Sequence, residues 1–281
     1  MSARSVAVGS VLCLGLDPDV EALPPGFPRN LAGLEAFARL LVEMAGPHAA
    51  AIKPNLAFFE AHGSAGIAAL ERIRAAIPTD IPVIADAKRG DIGTTAARQA
   101  VALFDVLGAD AVTVNPYLGS EAVEPLLERI DRFAYVLCRT SNPGAGELQN
   151  LELAGDGATP PEPLYARVAR RAATWGPGGT VGLVVGATAP EELARIRQVA
   201  PSLAFLVPGI GAQGGDLEAV LRSGPTSVEA PGRKAGGGLL VNVSRGIANA
   251  AGGPESGAAA DPGERLRAAA AEWSARLPVL P

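Results

Sequence analysis

Short runs of apolar and β-branched residues recur along the chain and predict eight strands. They are the segments VLCLGL at 11, AAIKP at 50, IPVIADAK at 81, AVTVN at 111, AYVLCR at 134, TVGLVVG at 180, AFLVP at 204 and LLVNVSR at 239. Several stretches between them have helical periodicity, and within 31–46 one helix face would carry Leu34, Phe37, Leu41 and Met44. Strands that alternate with helices indicate parallel β/α units.

Eight such units in about 250 residues predict one closed (β/α)8 barrel (a TIM barrel) over residues 1–281, with its active site at the carboxyl ends of the parallel strands. An open doubly wound sheet is the alternative, but its usual G-x-G-x-x-G fingerprint does not follow the first strand. Stretches rich in Gly and Pro predict irregular loop insertions near 142–164 and 225–238. The first insertion is expected near the active face, where it could act as a lid.

Composition narrows the class of protein. Hydrophobic residues make up 48% of the chain and aromatic residues 4%, which predicts an aliphatic core. The formal net charge of −5 argues against a nucleic acid partner. No apolar run approaches the ~18 residues of a membrane span, and the amino-terminal segment is expected to lead directly into a strand rather than to form a signal peptide.

The cysteines and histidines indicate the cellular location and bear on metal binding. Cys13 and Cys138 lie within apolar runs, so we expect buried thiols and a cytoplasmic protein. His48 and His62 have no cysteine or histidine nearby, and the sequence therefore predicts no metal site.

Polar residues gather where the predicted strands end. Seven of the eight strands supply one to the same rim of the barrel, through Asp17, Lys53, Asp86 with Lys88, Asn115, Ser141, Gln213 and Arg245. Asp17, Asn115 or Ser141 taken alone could be a cap or a turn residue. The convergence of all seven strands favours a functional site.

Two stretches carry the most specific chemistry. Asp86 and Lys88 are two residues apart, so they would face the same side of a strand, and a purely structural buried ion pair adds little net stability. A functional role is therefore favoured. The glycine-rich VPGIGAQGGD and Arg245 predict a phosphate site, because loops after strands seven and eight commonly bind phosphate in this fold. Flexible turns are the alternative for these loops.

Together these segments resemble a known family. DAKRGDIGTT resembles the D-x-K-x-x-D motif of orotidine 5'-phosphate decarboxylases, and IKPNLAFFE, TVNPYLG, RTSNPGAGELQ, VPGIGAQGGD and VNVSRGI are similar, in the same order, to segments of the longer bacterial form. The resemblance runs from Asp17 to about Arg245, and 225–238 fits none of its patterns. It implies decarboxylation of orotidine 5'-phosphate to uridine 5'-phosphate in pyrimidine nucleotide biosynthesis, without a cofactor.

The resemblance also implies residue roles. The catalytic charge network would consist of Lys53, Asp86, Lys88 and Asp91. The nucleotide substrate would be bound by Asp17, Thr95, Ser141, Gln213 and Arg245. Among these nine residues, Asp17 and Lys53 would hold ribose hydroxyls, Ser141 and Gln213 would read the pyrimidine, and Gln213 and Arg245 would hold the phosphate. In a homodimer, Asp91 and Thr95 would enter the partner subunit's site.

The chemistry explains why a lysine is needed. Loss of CO2 from C6 of the orotate ring leaves an electron pair in the plane of the ring, where the π system cannot delocalise it. A fixed ammonium beside C6 would stabilise this pair and then donate the replacing proton, a role that fits Lys88, since Asp86 and Asp91 favour the ammonium form.

Two alternatives remain open from the sequence. A sister enzyme, a metal-dependent decarboxylase or aldolase acting on a keto-sugar phosphate, would need an additional acidic ligand where this chain has Lys53. A non-catalytic barrel that only binds a nucleotide would not need Asp86, Lys88 and Asp91 together.

Overall fold

The computed structural model describes residues 1–155, 157, 160–211, 213–227, 236–252 and 261–280. Its main sheet contains eight parallel strands: Leu12–Leu16, Ala51–Pro54, Ile84–Arg89, Ala111–Val114, Phe133–Arg139, Val181–Val185, Ala204–Val207 and Leu239–Val243. Counted along the chain, they lie side by side in the order two, one, eight, seven, six, five, four, three. Parallel bridges Ile52–Val83 and Asn55–Asp86 join the second strand to the third. The predicted (β/α)8 barrel is confirmed, and the open doubly wound sheet is wrong.

Helices surround the barrel and follow its strands. The α-helices span Ser2–Val8, Leu31–Ala45, Ala57–Glu60, Gly63–Ala76, Gly93–Ala100, Glu124–Leu127, Gly146–Gln149, Leu164–Ala172, Pro190–Val199, Leu217–Ser223, Arg245–Ala248 and Pro262–Arg276. A π-helical segment spans Val101–Val106, and 3-10 turns span Val20–Ala22, Gly46–His48, Pro143–Ala145 and Asn249–Gly252. The helix predicted within 31–46 begins after Asn30, whose side chain accepts a hydrogen bond from the Gly33 N–H.

The amino terminus differs from the expectation. A helix, Ser2–Val8, precedes the first strand, so the prediction that this segment leads directly into a strand is wrong. Gly9 ends the helix in the left-handed conformation, with φ of 68°, and its N–H bonds back to helical carbonyls. Glycine adopts this conformation without steric cost, so the chain can turn here before the strand begins at Leu12.

Of the two predicted loop insertions, one differs in regularity from the expectation where the structure describes it. The first, near 142–164, is more regular than expected, because it contains the helix Gly146–Gln149 and an antiparallel pair of short strands, Glu152–Leu153 and Glu162–Pro163. Residues 228–235 of the second insertion lie outside the described residues, as do residues 253–260 of the tail.

Inside the barrel, a layer of polar side chains lies above a buried apolar cluster. The cluster includes Cys13, Ala51, Ile84, Ala111, Tyr135 and Leu240. Side chains two residues further along a strand face the same way. The residues two positions after Ala51, Ile84, Ala111 and Leu240 are Lys53, Asp86, Thr113 and Asn242. The barrel therefore delivers charged and polar side chains to its carboxyl end.

Two further findings bear on the sequence-based predictions. Cys13 and Cys138 are free and buried, as expected. Among the described residues, none of the helices combines the length and the hydropathy that a membrane crossing requires.

Candidate active site

One largely covered carboxylate joins two lysines at the carboxyl end of the barrel. Asp86 Oδ2 lies 2.8 Å from Lys53 Nζ, and Asp86 Oδ1 lies 2.6 Å from Lys88 Nζ. The side chain of Lys53 is 5% exposed and that of Asp86 is 12% exposed, whereas that of Lys88 is 49% exposed. Lys88 is therefore the member of this network that reaches into open space.

The electrostatics of Lys53 and Asp86 keep both groups ionised. Burial opposes the charged form of Lys53, but the Asp86 and Asp17 carboxylates outweigh it and raise the pKa of this lysine. Burial also opposes the charged form of Asp86, yet the Lys53 and Lys88 ammonium groups hold the pKa of the carboxyl well below its usual range. Lys53 and Asp86 therefore keep opposite charges at neutral pH.

The third strand is irregular at the position where this network forms. Lys88 has φ of 48°, in the left-handed region, which is exceptional for a non-glycine residue. The pairing with the fourth strand shifts register between Ala85 and Arg89, so the three residues between them oppose Thr113. A bulge, rather than a regular strand, brings Lys88 onto Asp86. The period-two pattern of a regular strand correctly predicts that Asp86 and Lys88 are neighbours. It does not predict the bulge that brings their side chains together.

Two adjoining cavities open above the network. The larger, about 410 Å³, is lined by Lys53, Asp86, Lys88, Thr113, Thr140, Ser141, Asn142 and Gln149, and by the apolar Leu137, Val184, Leu206 and Pro208. The smaller, about 170 Å³, is lined by Asp17, Lys53, Asp86, Ser141, Pro208, Gly209, Ile210, Gln213, Asn242, Ser244 and Arg245. Because they share Lys53, Asp86, Ser141 and Pro208, the two form one continuous site.

Seven of the nine predicted site residues line these cavities: Asp17, Lys53, Asp86, Lys88, Ser141, Gln213 and Arg245. Ser141 Oγ donates a hydrogen bond of 3.1 Å to Gln213 Oε1, which ties the loops after the fifth and seventh strands together. Arg245 is exposed at the start of a short helix after the eighth strand. Asn115 instead forms a turn, in which its Oδ1 accepts from the Tyr117 N–H.

Asp91 and Thr95, the other two predicted residues, do not line either cavity of the single chain. Asp91 Oδ1 accepts a hydrogen bond of 2.8 Å from the neighbouring Ile92 N–H, and the Asp91 N–H donates to the Ala122 carbonyl. Thr95 is exposed in the first turn of the helix Gly93–Ala100.

Sequence reasoning missed Thr113 and Asn242. Thr113 is 2% exposed and Asn242 is 8% exposed, and both line the cavities. In the part of the chain that the structure describes, the buried Oδ1 atoms of Asn242 and Asp17 have no hydrogen-bond partner. For Asn242 the signal was present in LLVNV, where an amide side chain interrupts the inward face of a buried strand.

Fold and site together define a (β/α)8-barrel protein with a lysine–aspartate–lysine network at the carboxyl ends of its strands. Residues 10–260 match the family described as "Orotidine 5'-phosphate decarboxylase / HUMPS family", and the chain belongs to this family. The family inferred from the motifs is thereby confirmed.

Individual relatives agree with the family match. A protein named orotidine 5'-phosphate decarboxylase from Thermomicrobium roseum is 53% identical over 239 residues, which cover 85% of this chain and 81% of the relative. The structure of Leishmania donovani OMP decarboxylase is 43% identical, with a TM-score of 0.77, and the match covers 96% of this chain and 92% of that one. The UMP synthase of the same organism is 44% identical with a TM-score of 0.80, and the match covers 97% of this chain but 54% of the synthase.

Proposed function

We propose that this chain decarboxylates orotidine 5'-phosphate to uridine 5'-phosphate in pyrimidine nucleotide biosynthesis, with Lys88 as the catalytic ammonium. The observation that carries the proposal is the network in which Asp86 holds both Lys53 and Lys88 within 2.8 Å beside the larger cavity. The family and the relatives' names supply the substrate, since proteins 53% and 47% identical to this chain are both named orotidine 5'-phosphate decarboxylase.

The reaction breaks the bond between C6 and the carboxylate, CO2 leaves, and the electron pair remains on C6. Lys88 Nζ would lie beside C6, stabilise this pair by its charge and then transfer a proton to it, after which solvent reprotonates the amine. The apolar wall of Leu137, Val184 and Leu206 strengthens such a charge interaction by excluding water. Asp86 would also crowd the substrate carboxylate and raise the energy of the bound substrate.

The smaller cavity suits the remainder of the nucleotide. Asp17 and Asn242 present buried acceptor oxygens without donors in the described part of the chain, and ribose hydroxyls are donors that would satisfy them. Ser141 and Gln213 would contact the pyrimidine. Gln213, the glycine-rich loop and Arg245 would hold the phosphate, because backbone amides and a guanidinium both bind this anion well.

A homodimer would complete the site. Asp91 and Thr95 lie outside both cavities of one chain, and we propose that each enters the site of the partner subunit. Large apolar side chains are exposed next to Asp91 in the sequence and in the loop after the fourth strand: Ile92 is 62% exposed, Tyr117 79% and Leu118 55%. A second copy of this chain would cover them, as apolar surface at a homodimer interface is buried.

The proposal also covers the domain organisation and the cellular location. Residues 1–281 would act as a single domain with loop insertions near 142–164 and 225–238, of which 156, 158–159 and 228–235 lie outside the described residues. The protein would work in the cytoplasm, where reducing conditions keep thiols such as Cys13 and Cys138 free.

Replacing Arg245 is expected to weaken the binding of phosphorylated ligands selectively. In Arg245→Ala the affinity for uridine monophosphate should fall by about tenfold or more, because a charge-assisted hydrogen bond contributes roughly 1.5–3 kcal/mol. The affinity for uridine, which has no phosphate, should change little. Isothermal titration of both ligands checks this, with Arg222→Ala, an exposed arginine on the helix Leu217–Ser223, as the control. Equal losses for the two ligands would remove Arg245 from the phosphate site.

Treatment with EDTA is expected to leave the decarboxylation of orotidine 5'-phosphate unchanged, since no step of the proposed reaction uses a metal. No group of three His, Cys, Asp or Glu with metal-binding geometry occurs within the described ranges. The measurement is the absorbance change on turnover, with EDTA, with EDTA followed by Mg²⁺, and without either. Activity that EDTA removes and Mg²⁺ restores would favour the metal-dependent sister enzyme. Nucleotide binding without turnover would favour the non-catalytic barrel.

A further inference from the structure

We propose that Thr113 is a positioning residue for Asp86 and Lys88, the catalytic pair. It holds the backbone at Lys88 and the side chain of Asp86 in their reactive geometry. This inference rests on the proposed role of Lys88. Thr113 lies on the fourth strand, Ala111–Val114, faces the inside of the barrel, and is 2% exposed. It lines the larger cavity directly beside the lysine–aspartate–lysine network.

The hydroxyl of Thr113 uses its full hydrogen-bonding capacity on the segment from Asp86 to Lys88. Its Oγ1 accepts from the Ala87 N–H at 3.1 Å and from the Lys88 N–H at 3.0 Å, and it lies 3.0 Å from Asp86 Oδ1. A hydroxyl has two acceptor positions and one proton. Because the two N–H groups occupy the acceptor positions, the proton is directed at the Asp86 carboxylate.

The irregular backbone of the third strand explains why a side chain must accept hydrogen bonds here. The register shift makes the residues Asp86, Ala87 and Lys88 oppose Thr113, so the third strand cannot continue a regular ladder. The Thr113 hydroxyl takes the place of a backbone carbonyl for two consecutive N–H groups. Residues in sparsely populated conformations persist only where their surroundings determine them strongly. These bonds supply that constraint for Lys88, whose φ is 48°.

The same hydroxyl also fixes the other end of the pair. Asp86 Oδ1, to which Thr113 donates, is the oxygen that contacts Lys88 Nζ at 2.6 Å, while Oδ2 contacts Lys53. Thr113 therefore fixes the backbone position from which the Lys88 side chain extends. It also fixes the position of the Asp86 carboxylate that binds the Lys88 ammonium. Loss of the hydroxyl would release both constraints together.

The test compares Thr113→Val, which keeps the shape without the hydroxyl, with Thr113→Ser, which keeps the hydroxyl. In Thr113→Val the kcat for orotidine 5'-phosphate should fall by about 10- to 100-fold, the effect expected when a reacting group is displaced by ~1 Å, while KM changes much less. Thr113→Ser should retain most of the wild-type kcat. Each kcat is expressed per site counted by titration with uridine monophosphate, so that unfolded protein does not contribute.

Thr180→Val is the matched control, because Thr180 is also a buried threonine, lies before the sixth strand, and its Oγ1 has no hydrogen-bond partner among the residues that the structure describes. It should keep the wild-type kcat. A wild-type kcat in Thr113→Val, or an equal loss in Thr180→Val, would overturn the inference. If Thr113→Val does not fold, Thr113→Cys replaces it: its weak hydrogen bonds must give a lower kcat than Thr113→Ser, and equal values would overturn the inference. Lys88→Ala, assayed alongside, must be inactive, since activity there would instead contradict the proposed role of Lys88.

Discussion

Mixing inactive Lys88→Ala protein with inactive Asp91→Ala protein is expected to restore decarboxylation once the subunits exchange. In a mixed dimer one site receives both substitutions. The other site receives Lys88 from one chain and Asp91 from its partner, so it has the wild-type composition. With equal amounts and random exchange, half of the dimers are mixed and each has one intact site, which gives about a quarter of the wild-type rate. The measurement is the turnover rate as subunits exchange.

A second mixture provides the control. Lys88→Ala and Asp86→Ala damage residues that lie 2.6 Å apart within one chain, so no mixed dimer from these two proteins contains an intact site. This mixture should stay inactive. Differently tagged chains show whether mixed dimers form. If tagged dimers of Lys88→Ala and Asp91→Ala form and remain inactive, Asp91 acts within its own chain and the shared site does not exist.

Much of the fold could be predicted from the sequence because its signals are local and repeated. Each strand contains or follows a short apolar run, and the alternation with amphipathic helices predicts the parallel barrel directly. The helix Ser2–Val8 was missed because its residues are apolar and polar without a clear period, and its end depends on the conformation of Gly9. The short strands within 142–164 were missed because a two-residue pair leaves almost no pattern in the sequence.

The candidate site was predictable to the extent that its residues stand at strand ends. Lys53, Asp86 and Lys88 were found because charges are rare inside a barrel and a motif accompanies them. Thr113 was missed because a single threonine in AVTV is an ordinary strand residue, and its importance arises from the register shift opposite it. A bulge depends on the pairing of two strands, which no single segment of sequence encodes. The roles of the nine residues stay predictions until variants are measured.

Replacing Lys88 by alanine is expected to reduce the decarboxylation rate by about 10³-fold or more, a loss on the order of 4 kcal/mol in transition-state stabilisation. The change removes both the charge that faces C6 and the proton that replaces CO2. The fold should persist, because the side chain of Lys88 is 49% exposed and Asp86 keeps its bond of 2.8 Å with Lys53. Arg72→Ala is the control, since Arg72 pairs with Glu35 on the outer helices and its loss removes a cation far from the cavities.

The central claim is that the ammonium of Lys88 carries out the reaction, and the measurement that tests it most directly is kcat per nucleotide-binding site. Sites of wild-type and Lys88→Ala protein are counted by titration with uridine monophosphate, and the turnover of orotidine 5'-phosphate is then measured on the same samples. We predict a full count of sites in Lys88→Ala and a kcat lower by about 10³-fold. A full count of sites with more than about a tenth of the wild-type kcat, a loss below ~1.4 kcal/mol, would contradict the claim.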